Sequence, residues 1–130
     1  MSVELFRRAA AGDFAPEVLH YVSTSARRHK AGLDLECAYG LDRASRLREC
    51  FRALREADAL LTAGAALSLS CRAKRLAAAI KRFDGRLAPL VARNPDMDLA
   101  PIDDAVRRAL DAGRDLRMPT TDRNLRAVIR

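Results

Sequence analysis

The chain has 130 residues, enough for one domain with its own core, and Leu, Ile, Val and Phe fill 31 positions, which favours a globular chain over a disordered one. Its 24 Arg and Lys against 17 Asp and Glu give a net charge of +7, and residues 66–130 hold fourteen of those bases against eight acids. The longest uncharged run, Ala59 to Cys71, falls short of the roughly 20 residues a bilayer-spanning helix needs, so no membrane-spanning segment and no membrane partner are expected.

Apolar residues recur with a helical period, and no run alternates as a strand would. A first helix is expected from Val3 to Ala11, with Ser2 as cap and Gly12 as stop; a second begins at Pro16, ends by Gly32 and turns Val18, Leu19, Val22 and Ala26 inward. Ser23-Thr24-Ser25 is poor helix material, because short hydroxyl side chains compete for backbone hydrogen bonds. Residues 33–41 fit either a short helix or a loop, with Gly40 at a boundary. From Arg43 to Thr62, with Asp42 as cap and Gly64 as stop, Leu47, Cys50, Phe51, Leu54, Ala57 and Leu61 fall on one side. The opposite side carries Arg48, Arg52 and Arg55 among Glu49 and Glu56, with Arg52 and Glu56 at ion-pair spacing.

A fourth helix starts near Ser68 or Ser70, buries Leu69, Ala73, Leu76, Ile80 and Phe83, and is ended by Asp84-Gly85. Pro89, Pro95 and Pro101 make residues 84–100 a connection with one turn around Leu87 to Val91. A fifth helix runs from Pro101 through Ile102, Val106, Ala109 and Leu110 to Gly113, and a last one from Thr120 to Arg130. The expected architecture is a single all-α domain over 1–130, a bundle of five to six helices around an antiparallel pair formed by residues 43–62 and 70–83.

Charge supplies the functional signal. Between Arg72 and Arg93 lie seven bases and a single acid, Asp84, and Lys74 with Lys81 and Arg75 with Arg82 repeat two turns apart on the outer side of the fourth helix. Arg72, Lys74, Arg75, Lys81 and Arg82 are therefore candidate phosphate contacts. In the last helix Arg123 and Arg126 share a side, and Asn124 adds a base-edge donor and acceptor, so Arg123, Asn124 and Arg126 are candidate base contacts. With the helix before it, this segment resembles a helix-turn-helix, although its turn of seven residues exceeds the three to four of the compact motif. The plainer reading is a surface helix whose Arg126 and Arg130 complement its own C-terminal dipole.

The remaining reactive residues carry less. His29 shares a side with Val18 and Val22, which fits a partly buried structural histidine, and neither it nor His20 has an identifiable nucleophile to serve. Cys37, Cys50 and Cys71 lack the close spacing of a disulfide framework or a zinc site and suit a reducing, cytoplasmic compartment. Asp96, Asp98, Asp103 and Asp104 do not match a calcium loop, and Asp103 and Asp104 suit the first turn of a helix. No enzyme, cofactor or metal site is expected. The leading expectation is a small regulator or accessory factor that binds nucleic acid, duplex rather than single-stranded because Phe51 and Phe83 sit on core faces and only Tyr21 and Tyr39 could stack.

In composition, small, basic and rich in Ala and Arg, the chain resembles accessory proteins of bacterial prophages from GC-rich hosts. The same charge supports a second reading, a protein-interaction module such as an inhibitor or adaptor whose basic face meets an acidic protein surface, and the resemblance implies that this surface belongs to a host protein. Exposed helix faces also leave room for a homodimer.

Overall fold

The computed structural model describes residues 1–130 and contains helices and no strand. In chain order these are α1 (Ser2–Ala10), α2 (Pro16–Lys30), α3 (Leu35–Ala38), α4 (Arg43–Leu61), α5 (Leu69–Arg82), a π-turn (Phe83–Leu87), α6 (Ala88–Arg93), α7 (Pro101–Ala112) and α8 (Asp122–Ile129). Six of them have eight residues or more, the helical bundle that the apolar periodicity predicts. The chain forms two compact units, Met1–Glu49 and Cys50–Arg130, divided within α4.

In the first unit, α2 ends in a Schellman motif: the Gly32 N–H donates to the His29 carbonyl at 3.0 Å and the Leu33 N–H to the Arg28 carbonyl at 3.1 Å. An aromatic cluster fixes the helices around it. Tyr39 stands edge-on to Phe6 and to Tyr21, with ring centroids 6.3 and 6.0 Å away. The Tyr21 hydroxyl donates to the Tyr39 carbonyl at 2.5 Å, and burial, followed by the charge of Glu49, pushes its pKa up to about 12. Gly40 lies against α1, its φ is +67°, and a Cβ there would come within 2.3 Å of the Ser2 hydroxyl.

This cluster turns α2 away from the expected orientation. Val18 is buried, but Leu19 is 51% exposed and Ala26 is exposed, while Ser25 is 3% exposed in their place. Tyr21 and Ser25 lie on one side, and the hydrogen bond from the half-buried Tyr21 hydroxyl to the Tyr39 carbonyl holds that side inward. His29 is exposed rather than partly buried, and its Nδ1 is 3.0 Å from the Leu33 carbonyl just past the helix end. Glu49 belongs to the core rather than the outer face of α4: it is 8% exposed and its Oε2 accepts the Val3 N–H at 2.9 Å. Residues 33–41 include the short helix α3.

In the second unit Leu54 and Ala57 of α4 are buried, as are Ala73, Leu76 and Ile80 of α5 and Phe83 of the π-turn, and Arg72 of α5 is hydrogen-bonded to Asp58 of α4. Frequent alanines let helix backbones approach closely. Val106 and Ala109 of α7 and Leu125 and Val128 of α8 complete the core. Glu56 does not pair along its own helix with Arg52; it accepts both terminal nitrogens of Arg108, at 2.8 and 2.7 Å, and this bidentate bond holds its carboxyl below the usual range.

Asp84-Gly85 does not end the fourth helix. The chain passes through the π-turn, closed by the Ala88 N–H on the Phe83 carbonyl, straight into α6. Pro89 supplies the reason: within an α-helix its ring would clash with the carbonyl four residues back, that of Gly85, and it has no N–H to donate there. Widening the turn relieves the clash while Phe83 stays buried.

Gly40→Ala is expected to combine a left-handed penalty of about 1–2 kcal/mol with the clash against Ser2. Gly12→Ala, at φ +83° with nothing within 4 Å of the new Cβ, should show the backbone penalty alone. Urea denaturation of the two variants checks the order, and equal losses would remove the close approach at Gly40 as a constraint.

Candidate nucleic-acid interface

Helix α5 is started by Ser68, whose hydroxyl accepts the Cys71 N–H at 3.2 Å, and α8 by Thr121, whose hydroxyl accepts the Asn124 N–H at 3.4 Å. Helix α8 packs chiefly on α5. Its end is held by cations: Arg72 Nη2 donates to the Ile129 carbonyl at 3.1 Å and Arg55 Nε to the Val128 carbonyl at 2.9 Å. Both satisfy carbonyls that the helix itself leaves without a partner and complement its C-terminal dipole. The same Arg72 is paired with Asp58, which is 4% exposed, at 2.5 Å from Nη2 and 3.3 Å from Nε. Asp58, Arg72 and the end of α8 thus tie α4, α5 and α8 together.

The eight residues singled out by the sequence divide into two groups. Arg72 is committed to Asp58 and α8. Arg82 donates to Asp103 at 2.5 Å while its side chain stays 52% exposed. Arg126 donates to the Ser70 hydroxyl at 3.1 Å and lies 3.6 Å from Asp122, with its Nε buried and without a hydrogen-bond partner. Lys74, Arg75, Lys81, Arg123 and Asn124 are exposed. Ser70, Lys74 and Lys81 fall on one side of α5 at 100° per residue, and Arg126 reaches that side through Ser70. Arg123 and Arg130 flank Arg126 at i−3 and i+4, so both helices offer cations along their seam. Thr120, just ahead of α8, shares a depression with Lys81 and Asp84.

The geometry differs from a helix-turn-helix in that α8 is seated on α5 rather than on α7. Its C-terminal dipole is met by Arg72 and Arg55 from outside the helix rather than by Arg126 and Arg130. The acidic residues at the start of α7 are engaged as well: Asp103 with Arg82, and Asp104 with Arg107 at 2.9 Å and Arg108 at 3.0 Å.

One cation escaped the sequence reading. Arg86 lies five residues after Lys81, a spacing that faces the other way on an α-helix, yet Lys81, Arg82 and Arg86 line one depression with Ala78 and Gly85. The signal was Pro89 four residues after Gly85, which makes a regular helix impossible there.

No protein-family model matches the chain, nor does any curated protein or solved structure.

Arg72→Gln is expected to destabilise the protein, because it removes the partner of a buried carboxylate and uncaps α8. Lys81→Gln, at an exposed position, should change stability by less than about 0.5 kcal/mol. Urea denaturation of both variants checks the assignment of Arg72 to the fold rather than to a ligand.

Proposed function

We propose that this protein is a nucleic-acid-binding regulator or accessory factor that meets the phosphates of a duplex with the outer face of α5 and its π-turn. The observation that carries the reading is the set of cations on that face, Lys74, Arg75, Lys81 and Arg86, which are exposed and make no ion pair with the protein's own carboxylates. Elsewhere in the unit Arg107 and Arg108 are held by Asp104, Asp111 and Glu56. The two basic doublets, Lys74-Arg75 and Lys81-Arg82, are seven residues apart, about 10.5 Å along the axis, which matches about three steps of a duplex strand. Arg123 and Asn124 extend the contact along α8 and, with Arg126, are the groups suited to base edges.

Single strands are the poorer fit. Stacking needs free aromatic faces, whereas Phe83 is buried and Tyr21 and Tyr39 are packed edge-on in the other unit.

The second reading, an inhibitor or adaptor that binds an acidic protein surface, is favoured by a different observation. The first unit exposes Phe14 at 76%, Leu35 at 55% and Leu19 at 51%, side chains that protein interfaces bury. Substituting Arg123 and Arg126 separates the two: altered duplex preference supports the first, and unchanged duplex behaviour with loss of a protein partner supports the second.

Titrating salt against binding to random duplex DNA tests the leading reading. The logarithm of the affinity should fall linearly with the logarithm of salt concentration, and a Lys74→Gln, Arg75→Gln, Lys81→Gln triple variant should flatten the slope by about 2.7, or 0.9 per lost phosphate contact. Affinity indifferent to ionic strength, or absent at low salt, would rule it out.

A further inference from the structure

The π-turn places charge where a regular helix would not. In α-helical geometry five residues leave Arg86 about 140° around the axis from Lys81. A turn closed from residue i to i+5 winds more slowly per residue and so brings residues five apart closer around the axis, and the Ala88 N–H to Phe83 carbonyl bond shows such a turn spanning Phe83–Leu87. Lys81, Arg82 and Arg86 consequently border one depression of about 540 Å³ whose other lining residues, Ala78 and Gly85, have little or no side chain. A Cβ at Gly85 would meet nothing within 4 Å, so the space above it is open.

We propose that this depression is a binding site for a single phosphate group, with Gly85 as its floor and Lys81, Arg82 and Arg86 as its donors. Lys81 and Arg86 are exposed and have no protein partner; Arg82 uses Nη2 on Asp103 and keeps Nε and Nη1 without one. Three cations bordering one depression suit a phosphate, which offers more acceptor oxygens and can carry a second negative charge, better than a carboxylate. Asp84 lines another depression, with Lys81 and Thr120, and Asp103 offsets part of the Arg82 charge. The site therefore carries a net positive charge of about two rather than three, enough for a phosphate dianion.

The proposal deepens the reading of the α5 face as a phosphate-binding surface and rests on it. It adds a discrete site where that reading requires only a diffuse field. A backbone diester and a free or terminal monoester share the chemistry, and small probes separate them. The Gly85 amide, followed by NMR at constant ionic strength during titration with inorganic phosphate or dimethyl phosphate, should shift saturably. A response to dimethyl phosphate identifies the backbone diester as the source; a response to inorganic phosphate alone identifies the monoester.

Arg86→Gln should weaken the response at least tenfold, and Arg52→Gln, which removes one exposed charge from α4, should leave it unchanged. No saturable shift with either probe, or equal weakening by both substitutions, would overturn the site. Salt-dependent duplex binding that persists without the Gly85 response removes this site alone; a Gly85 response without duplex binding removes the duplex reading and keeps the site.

Discussion

The carboxylate of Asp58 anchors the second unit. It sits near the end of α4, almost without solvent, and a buried charge is tolerable only with a partner of opposite charge that fills its lone pairs. Arg72 from the first turn of α5 is that partner, and the guanidinium has donors to spare for the Ile129 carbonyl at the end of α8. One ion pair therefore closes the α4–α5 connection and seats the last helix on α5. Lysine could not replace it, because the three bonds diverge from one planar fork. Once α8 is seated, Leu125 and Val128 are buried and the cationic residues of both helices lie on their outer sides.

Pro89 has a comparable influence on the neighbouring segment. A proline in mid-helix normally stops or kinks it, and the aspartate and glycine before it look like a stop signal. The helix continues because burying Phe83 and the half-buried Leu87 rewards continuation, and a single widened turn is enough to accommodate the ring. The cost of that turn is offset by packing on one side, while on the other side it draws three cations together. Backbone irregularity and local charge thus share one cause.

Most helix ends were legible in the sequence because their causes are local, the exceptions being Asp84-Gly85, through which the helix continues, and Ser2, which lies inside α1 with Met1 ahead of it rather than capping it. Gly12, Gly32, Gly40 and Gly64 all adopt positive φ, Ser68 and Thr121 cap through their hydroxyls, and Pro16 and Pro101 open their helices. The apolar faces of α5 and α8 were legible too, since each has a single contiguous stripe. What could not be read depends on partners distant in the chain. The rotation of α2 is set by a carbonyl 18 residues away, and the role of Arg72 by a carboxylate 14 residues before it and a carbonyl 57 residues after it. Arg86 depended on a change of helical period that no periodic pattern anticipates.

Pairing sorts the cations of the second unit without altering the unit's total charge. Between Cys50 and Arg130 there are sixteen Arg and Lys against ten Asp and Glu, so the unit carries about six net positive charges however its side chains are partnered. At distances beyond about 8 Å, the screening length at physiological salt, what remains of the field reflects that total and steers an anion toward the surface. At contact, the decisive quantity is which donors are uncommitted. Arg72, Arg107 and Arg108 have their carboxylates within hydrogen-bonding distance and would have to break those bonds to hold a phosphate. Lys74, Arg75, Lys81 and Arg86 would break none. The fold thereby converts a charge excess spread along the whole of Cys50–Arg130 into a short strip of available donors, and that strip lies on helical turns rather than a loop.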